Sequence, residues 1–391
     1  MIRHTFFVLI LGLALIPQAS HAQEVLADTH ETLKARVVEI LDETREVISG
    51  TDTEAIVQTL SVEFLSGTRA GERMELRNDF TPLDTGDVLY VSRTVHALDG
   101  REFYAVSEPY RIHTLLWLTV LFVFSVCFFG GKQGIRGLVS LIGSLAFIYF
   151  MLLPGIASGY SPILVSIVVS SFIIILGSYV THGWNKTTSS AVIGMIATVI
   201  VVGVLAHISI GAAHLTGYGA DEAVYLNFNS RGSIDLAGLL LGGILIGLLG
   251  VMYDAAIGQS ISVEELHRVA PHLSKRTIYT RAVRIGREHI GALVNTLAIA
   301  YVGASLPLLL LFYSYANESA MVIMNREIFS TEIVRSLVGS IGLILTVPIT
   351  TFIAVAMLVR PRQNASSSDI KAEDDVLGHI VHSHHGHHHG A

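Results

Sequence analysis

The chain has 391 residues, of which 51% are hydrophobic and only 15% charged, with a formal net charge of −7 and a mean hydropathy of +0.58. Soluble globular domains are about a quarter charged, so this composition leaves too little polar surface to face water on every side and reads as an integral membrane protein. Cys127 is the single cysteine, which excludes intramolecular disulfides and Cys-based zinc sites. Residues 23–112 carry 18 acidic against 9 basic residues, an imbalance that argues against nucleic acid as a partner, because phosphate contacts need clustered Lys and Arg.

Residues 1–22 read as a secretory signal peptide. Arg3 supplies the positive start, Phe6–Ile16 the apolar core, and Ser20 and Ala22 the small residues of a cleavage site before Gln23. The alternative is an uncleaved anchor; both deliver the next segment across the membrane.

Residues 23–112 are predicted to form an extracytoplasmic β domain. Alternating stretches recur at Ala35–Ile40, Ala55–Phe64, Val88–Val95 and Phe103–Val106. Turn signals separate them at Ser66-Gly67, Ala70-Gly71, Asp84–Asp87 and Asp99-Gly100. Five or so strands in about ninety residues fit a small closed barrel of the OB type. The aromatic, basic groove that nucleic acid requires is not evident, so the module is expected to face a protein partner or to sense.

Seven transmembrane helices are expected in residues 113–359: Thr114–Gly130, Leu138–Leu153, Pro162–Val180, Ser189–Ile210, Leu236–Gly258, Ile290–Tyr313 and Val334–Val359. Basic residues set their orientation. With the amino-terminal domain outside, the inside loops and tail hold Lys132 and Arg136, Lys186, then Arg268, Lys275, Arg276, Arg281, Arg284 and Arg287, and finally Arg360, Arg362 and Lys371. The outside loops hold Arg231 and Arg326, with Arg335 just inside the last span. The expected place is the bacterial cytoplasmic (inner) membrane, with the carboxyl terminus cytoplasmic. The inside loop 259–289 is basic and amphipathic; Ser262 and Glu265 have capping-box spacing, and Pro271 splits the loop into two short helices expected to lie against anionic headgroups.

Asp254 is the most informative residue. It stands four positions from the end of the fifth span, roughly 6 Å inside the boundary at 1.5 Å per residue. Gly243, Gly247 and Gly250 share its helix face. Small residues at that spacing admit a neighbouring helix and point the acid into the bundle. Asn295 and Thr296 on the sixth span lie about 7 Å inside the same boundary. A carboxylate, an amide and a hydroxyl at matching depth can hold a cation or pass a proton; a structural hydrogen bond between helices is the alternative.

Pro348, within Thr346-Val347-Pro348-Ile349-Thr350-Thr351, is read as a break or kink in the seventh span. His207 and His182 are weaker candidates for proton transfer. Thr216-Gly217-Tyr218-Gly219 echoes a potassium filter, but the chain leaves no room for a preceding pore helix, and the loop reads better as a polar cap with Asp221, Glu222 and Asp235. Residues 360–391 read as a disordered cytoplasmic tail in which His379, His382, His384, His385, His387, His388 and His389 form a low-selectivity transition-metal sponge or a cloning remnant.

Catalytic templates are missing: there is no GxSxG, HExxH, P-loop or strand-linked GxGxxG. The sequence therefore predicts no enzyme and no cofactor. It leaves two readings, a channel or secondary transporter for a small ion, or a non-transporting scaffold or sensor with an extracytoplasmic protein partner.

The block Gly250-Val251-Met252-Tyr253-Asp254-Ala255-Ala256-Ile257, then Ser262–Leu266, then the run from Arg287-Glu288-His289 through Asn295-Thr296-Leu297 to Val302-Gly303, resembles the signature of the YibE/F-like multi-pass membrane proteins of bacteria. His289 stands where that family more often has aspartate. The resemblance extends to the polar amino-terminal domain ending at Tyr110-Arg111. It implies the multi-pass topology and draws attention to Asp254, Asn295 and Thr296, but names no substrate.

Overall fold

The computed structural model describes residues 28–360 except 48, 49, 51, 52, 98, 220, 316 and 317. The expected signal peptide and the histidine-rich tail lie outside the described residues. The chain divides into two units, residues 1–122 and residues 123–391, which are described separately.

In the first unit five strands, β1 (Thr29–Val47), β2 (Glu54–Phe64), β3 (Arg73–Asn78), β4 (Val88–Val95) and β5 (Glu102–Pro109), form one antiparallel sheet in the order β3-β2-β1-β4-β5. β1 is long enough to serve two neighbours: Thr29–Arg36 pairs with β4 and Ala35–Val47 with β2. Register shifts after Val37 and Ile40 bend β1, and such bulges increase local twist. The sheet curls until its edges, β3 and β5, approach each other. Alternation places Leu33, Ala35, Val37, Leu60, Val62, Phe64, Leu89 and Val91 on the concave side as one apolar core.

A buried polar knot closes one end of this core. The Gln58 carbonyl accepts from the Leu83 amide (2.8 Å) and from Asn78 (3.0 Å), while its amide donates to the Leu83 carbonyl (3.1 Å) and to Glu43 (3.0 Å). On the outer side Arg93 donates to Glu31 (2.8 Å) and Glu102 (2.5 Å), and Glu102 also accepts from Arg69 (3.0 Å) and Tyr104 (2.7 Å). The hydrogen bond from Arg93 leads the effects that hold the Glu102 carboxyl down at about 2.

The helices are α1 (Ile112–Phe147), which begins in the first unit and continues into the second, and, within the second, α2 (Pro162–His182), α3 (Lys186–Ala212), α4 (Leu236–Val269), α5 (Lys275–Ala304), α6 (Leu306–Ser314) and α7 (Glu327–Leu358). Short helices at Leu153–Ala157, Asp221–Asn229 and Ala320–Met324 lie between them. Among the described residues five helical stretches are long and apolar enough to cross a membrane, or six when the α5–α6 pair, bent by 68°, is taken as one span. This is a multi-pass membrane protein. The two first expected spans fall in one helical run, Ile112–Ala157, but that run is interrupted at Gly131, whose φ of 52° and ψ of −136° are not helical. A Cβ at Gly134 would strike the Val126 carbonyl, eight residues back and about 12 Å away along a straight helix, so the chain turns sharply there.

α3, α4 and α7 form the centre of the bundle, with Met195, Val199, Val202, Ile244, Leu245, Leu248, Met252 and Leu343 all buried in one cluster. Three sequence expectations change here. The inside loop is not a pair of surface helices: α4 runs on to Val269 and α5 already begins at Lys275. These extensions pack with the end of α7 in a second core of Val263, Ile278, Ala282, Ala354 and Val355. Ser262 is consequently mid-helix and donates to the Gly258 carbonyl (2.8 Å) rather than capping; the cap of α5 is Ser274, which accepts from Thr277. Finally, α7 continues through Pro348 as one helix, so the proline does not break the span. The helix that bends sharply is instead the sixth expected span, at Ser305, where Pro307 has no N–H to return to the Gly303 carbonyl.

Candidate functional site

α4 carries Asp254 on the exposed stripe Gly243, Gly247, Gly250, Asp254, Gly258, while its opposite face forms the bundle core. The glycine face takes a close neighbour at Gly247, where an added Cβ would sit 3.1 Å from the Tyr301 hydroxyl; at Gly243, Gly250 and Gly258 it would meet nothing within 4 Å. The stripe is thus largely an open face, with only its Asp254 and Gly258 end lining a cavity, not the tightly packed contact expected from its spacing.

That cavity has a volume of about 280 Å³ and is lined from α4 by Asp254, Ala255, Gly258, Gln259 and Ser262, from α5 by Gly286, His289 and Leu293, and from α7 by Val347. It has room for several waters. Its base is a tight junction of three helices. Gln259 is 4% exposed and Thr351 is fully buried. The Thr351 hydroxyl donates to the Val347 carbonyl (2.6 Å). Its single proton is thereby used, so it accepts from the Gln259 amide (2.8 Å), which also donates to the Ala282 carbonyl (3.1 Å). Gly286 is required at this crossing, since a Cβ there would overlap Gln259 and stand 2.6 Å from Val347.

On the other side of Asp254, the Tyr253 hydroxyl donates to the Gly177 carbonyl (3.0 Å) and is 3.0 Å from His182 Nδ1. With the hydroxyl proton committed to Gly177, His182 Nδ1 is the donor of that second bond. Two more polar bonds tie α3 to α4 nearby, Ser190 to Ser260 (3.1 Å) and Thr187 to Glu264 (2.5 Å). Polar contacts between helices are concentrated in this end of the bundle.

The residues grouped by depth in the sequence separate in the structure. Asn295 and Thr296 are exposed on α5 and do not line the Asp254 cavity; the Thr296 hydroxyl donates to the Ala292 carbonyl of its own helix (2.9 Å). At 100° per residue Asn295 is turned about 180° from Gly286, which faces the cavity. The α5 residues that line the cavity with Asp254 are instead Gly286, His289 and Leu293, and of these His289 is the titratable one. Its signal in the sequence was positional: three residues after Gly286 and four before Leu293, it shares their helix face.

A second polar group went unread. Ser305, at the bend between α5 and α6, donates to Glu332 (3.1 Å), which pairs with Arg335 (2.9 Å). Pro307 two residues on was the available clue. The Thr216–Gly219 segment binds a carboxylate of its own chain: the Thr216 and Gly217 amides donate to Glu327 at 2.7 and 2.9 Å. Asp235 caps α4 by accepting from the Gly238 amide (2.9 Å).

A carboxylate and an imidazole lining one cavity with room for water can bind a hydrated cation or exchange a proton. Among the described residues no group of three or more His, Cys, Asp or Glu is placed to hold a metal ion, so a metal at Asp254 and His289 would keep part of its water shell.

Residues 118–360 match the sequence model of a family described as YibE/F-like protein. The match covers well over half the chain and includes the whole cavity, whereas the sheet lies outside it. Neither a curated protein nor a solved structure matches the chain.

Proposed function

The chain belongs to the YibE/F-like family, and on that premise we propose that it is a channel or secondary transporter for a small ion, with its site in the cavity between α4 and α5. The observation that carries this reading is that Asp254 from α4 and His289 from α5 line the same cavity. An acid within a membrane-crossing helix is costly unless it meets water, a cation or a proton. Asp254 binds the ion or proton, His289 takes the role that sequence depth assigned to Asn295 and Thr296, and the bend at Ser305 is the hinge.

The proposal includes seven spans, because the turn at Gly131 divides the first helical run in two. It also includes an OB-like barrel outside and the basic ends of α4 and α5 inside, in the cytoplasmic membrane of a bacterium, with the positive-inside bias as its support. The test is flux in proteoliposomes for protons, monovalent cations and divalent metals, wild type against Asp254→Asn. Flux that vanishes in the variant supports the reading; unchanged flux in a folded variant refutes it.

One observation favours the second reading, a non-transporting scaffold or sensor. Residues 44–47 of β1 pair only with residues 54–57 at the start of β2, beyond the reach of β3, and are all exposed, a two-stranded ribbon suited to a protein partner. On this reading, deleting the ribbon abolishes function while Asp254→Asn only lowers stability.

A further inference from the structure

A groove of about 420 Å³ lies where α5 begins and α7 ends, lined by Lys275, Arg276, Tyr279, Phe352, Val355 and Ala356. Its two ends differ. Along α5 the lining passes from Lys275 and Arg276 to Tyr279, one turn deeper; along α7 it passes from Ala356 back to Phe352, also one turn deeper. One end is therefore cationic and the other apolar, with Phe352 67% exposed. Lys275 and Arg276 are exposed and have no acidic partner within ion-pair distance among the described residues. The wall is firm, because the lining residue Val355 is buried in one cluster with Ile278, Ala282 and Ala354.

We propose that this groove is a binding site for one anionic phospholipid, its phosphate between Lys275 and Arg276 and an acyl chain against Tyr279, Phe352 and Ala356. The charge order matches such a lipid end to end, and both helices of the groove terminate at the same side of the bundle, where headgroups lie. A zwitterionic lipid would fill the apolar end but leave the two cations without a net counter-charge. The site is separate from the Asp254 cavity and does not depend on the transport reading.

The test is native mass spectrometry of the full-length protein titrated with phosphatidylglycerol and, in parallel, phosphatidylcholine of the same acyl chains. We expect Lys275→Gln or Arg276→Gln to weaken phosphatidylglycerol binding about five-fold each and about 25-fold together, at the usual strength of one basic residue near an anionic surface. Phosphatidylcholine binding stays unchanged in these variants, and Phe352→Ala weakens both lipids. Lys275→Arg with Arg276→Lys retains the affinity, which separates charge from folding. The proposal is overturned if the double glutamine variant keeps its preference for phosphatidylglycerol. It is equally overturned if Arg281→Gln with Arg284→Gln, outside the groove, removes as much, since the attraction would then be diffuse.

Discussion

In the sheet, the buried amides of Gln58 and Asn78 bond each other and the turn at Leu83, so that one knot joins β2, β3 and a distant loop. In the helical unit the buried hydroxyls of Thr198, Thr346 and Thr351 instead donate to carbonyls one turn back in their own helices, and Ser166 and Ser170 have no partner among the described residues. The difference follows from the backbone. A strand leaves its side chains as the only groups able to tie a core end together, whereas a helix always offers a carbonyl four residues back. Interhelical polar bonds are therefore exceptions, and their concentration around Asp254 and Gln259 marks that end of the bundle as specialised.

The sharpest way to break this comparison is a matched pair of substitutions. Gln58→Leu leaves the Leu83 amide and carbonyl buried without partners and should cost roughly 2–4 kcal/mol. Thr346→Val removes only a bond within its own helix and should cost about 0.5 kcal/mol, the low end for a net hydrogen bond. Thermal unfolding of the two variants compares them directly, and equal losses would refute the distinction. Next in size is Gly286→Val, which overfills the Gln259 crossing and should cost about 1–3 kcal/mol, read from the same unfolding curves; a neutral result would mean α4 and α5 are not locked there.

The smallest effect belongs to the sheet's outer surface. Glu102 has its carboxyl lowered from 4.5 to about 2 by Arg93 and Tyr104. A depressed acid stabilises the fold fully above its unfolded value and loses that contribution as pH falls through the folded one. Unfolding of the sheet should therefore become easier between about pH 4.5 and 2, by a small amount because the group is open to solvent. Glu102→Gln should flatten that part of the profile, and an unchanged profile would contradict the assignment.

The sheet was legible in the sequence because strand alternation and glycine turns report directly on which residues face a core: Leu60, Val62 and Phe64 read as they fold. Helix ends were less legible. Hydropathy falls at Glu264, Glu265 and Arg268, yet the helix continues to Val269, since charge ends a membrane segment without ending a helix. Pro348 reads as a break or kink, and α7 runs through it as one helix; the 68° bend lies instead at Ser305 and Pro307. At the candidate site, chemistry alone singled out Asp254. Depth was then used to choose Asn295 and Thr296, but depth fixes only the position along a helix axis. Rotation about that axis decides which residue meets the cavity, and it brings His289 there.

The most direct test of the account sets these two groupings against each other in one flux assay. Proteoliposomes containing wild type, Asp254→Asn, His289→Ala or Asn295→Ala are compared for the ion that wild type carries. The account predicts loss of flux for Asp254→Asn, a marked reduction for His289→Ala, and wild-type flux for Asn295→Ala. Loss in Asn295→Ala with His289→Ala unaffected would contradict it, and would move the site away from the cavity.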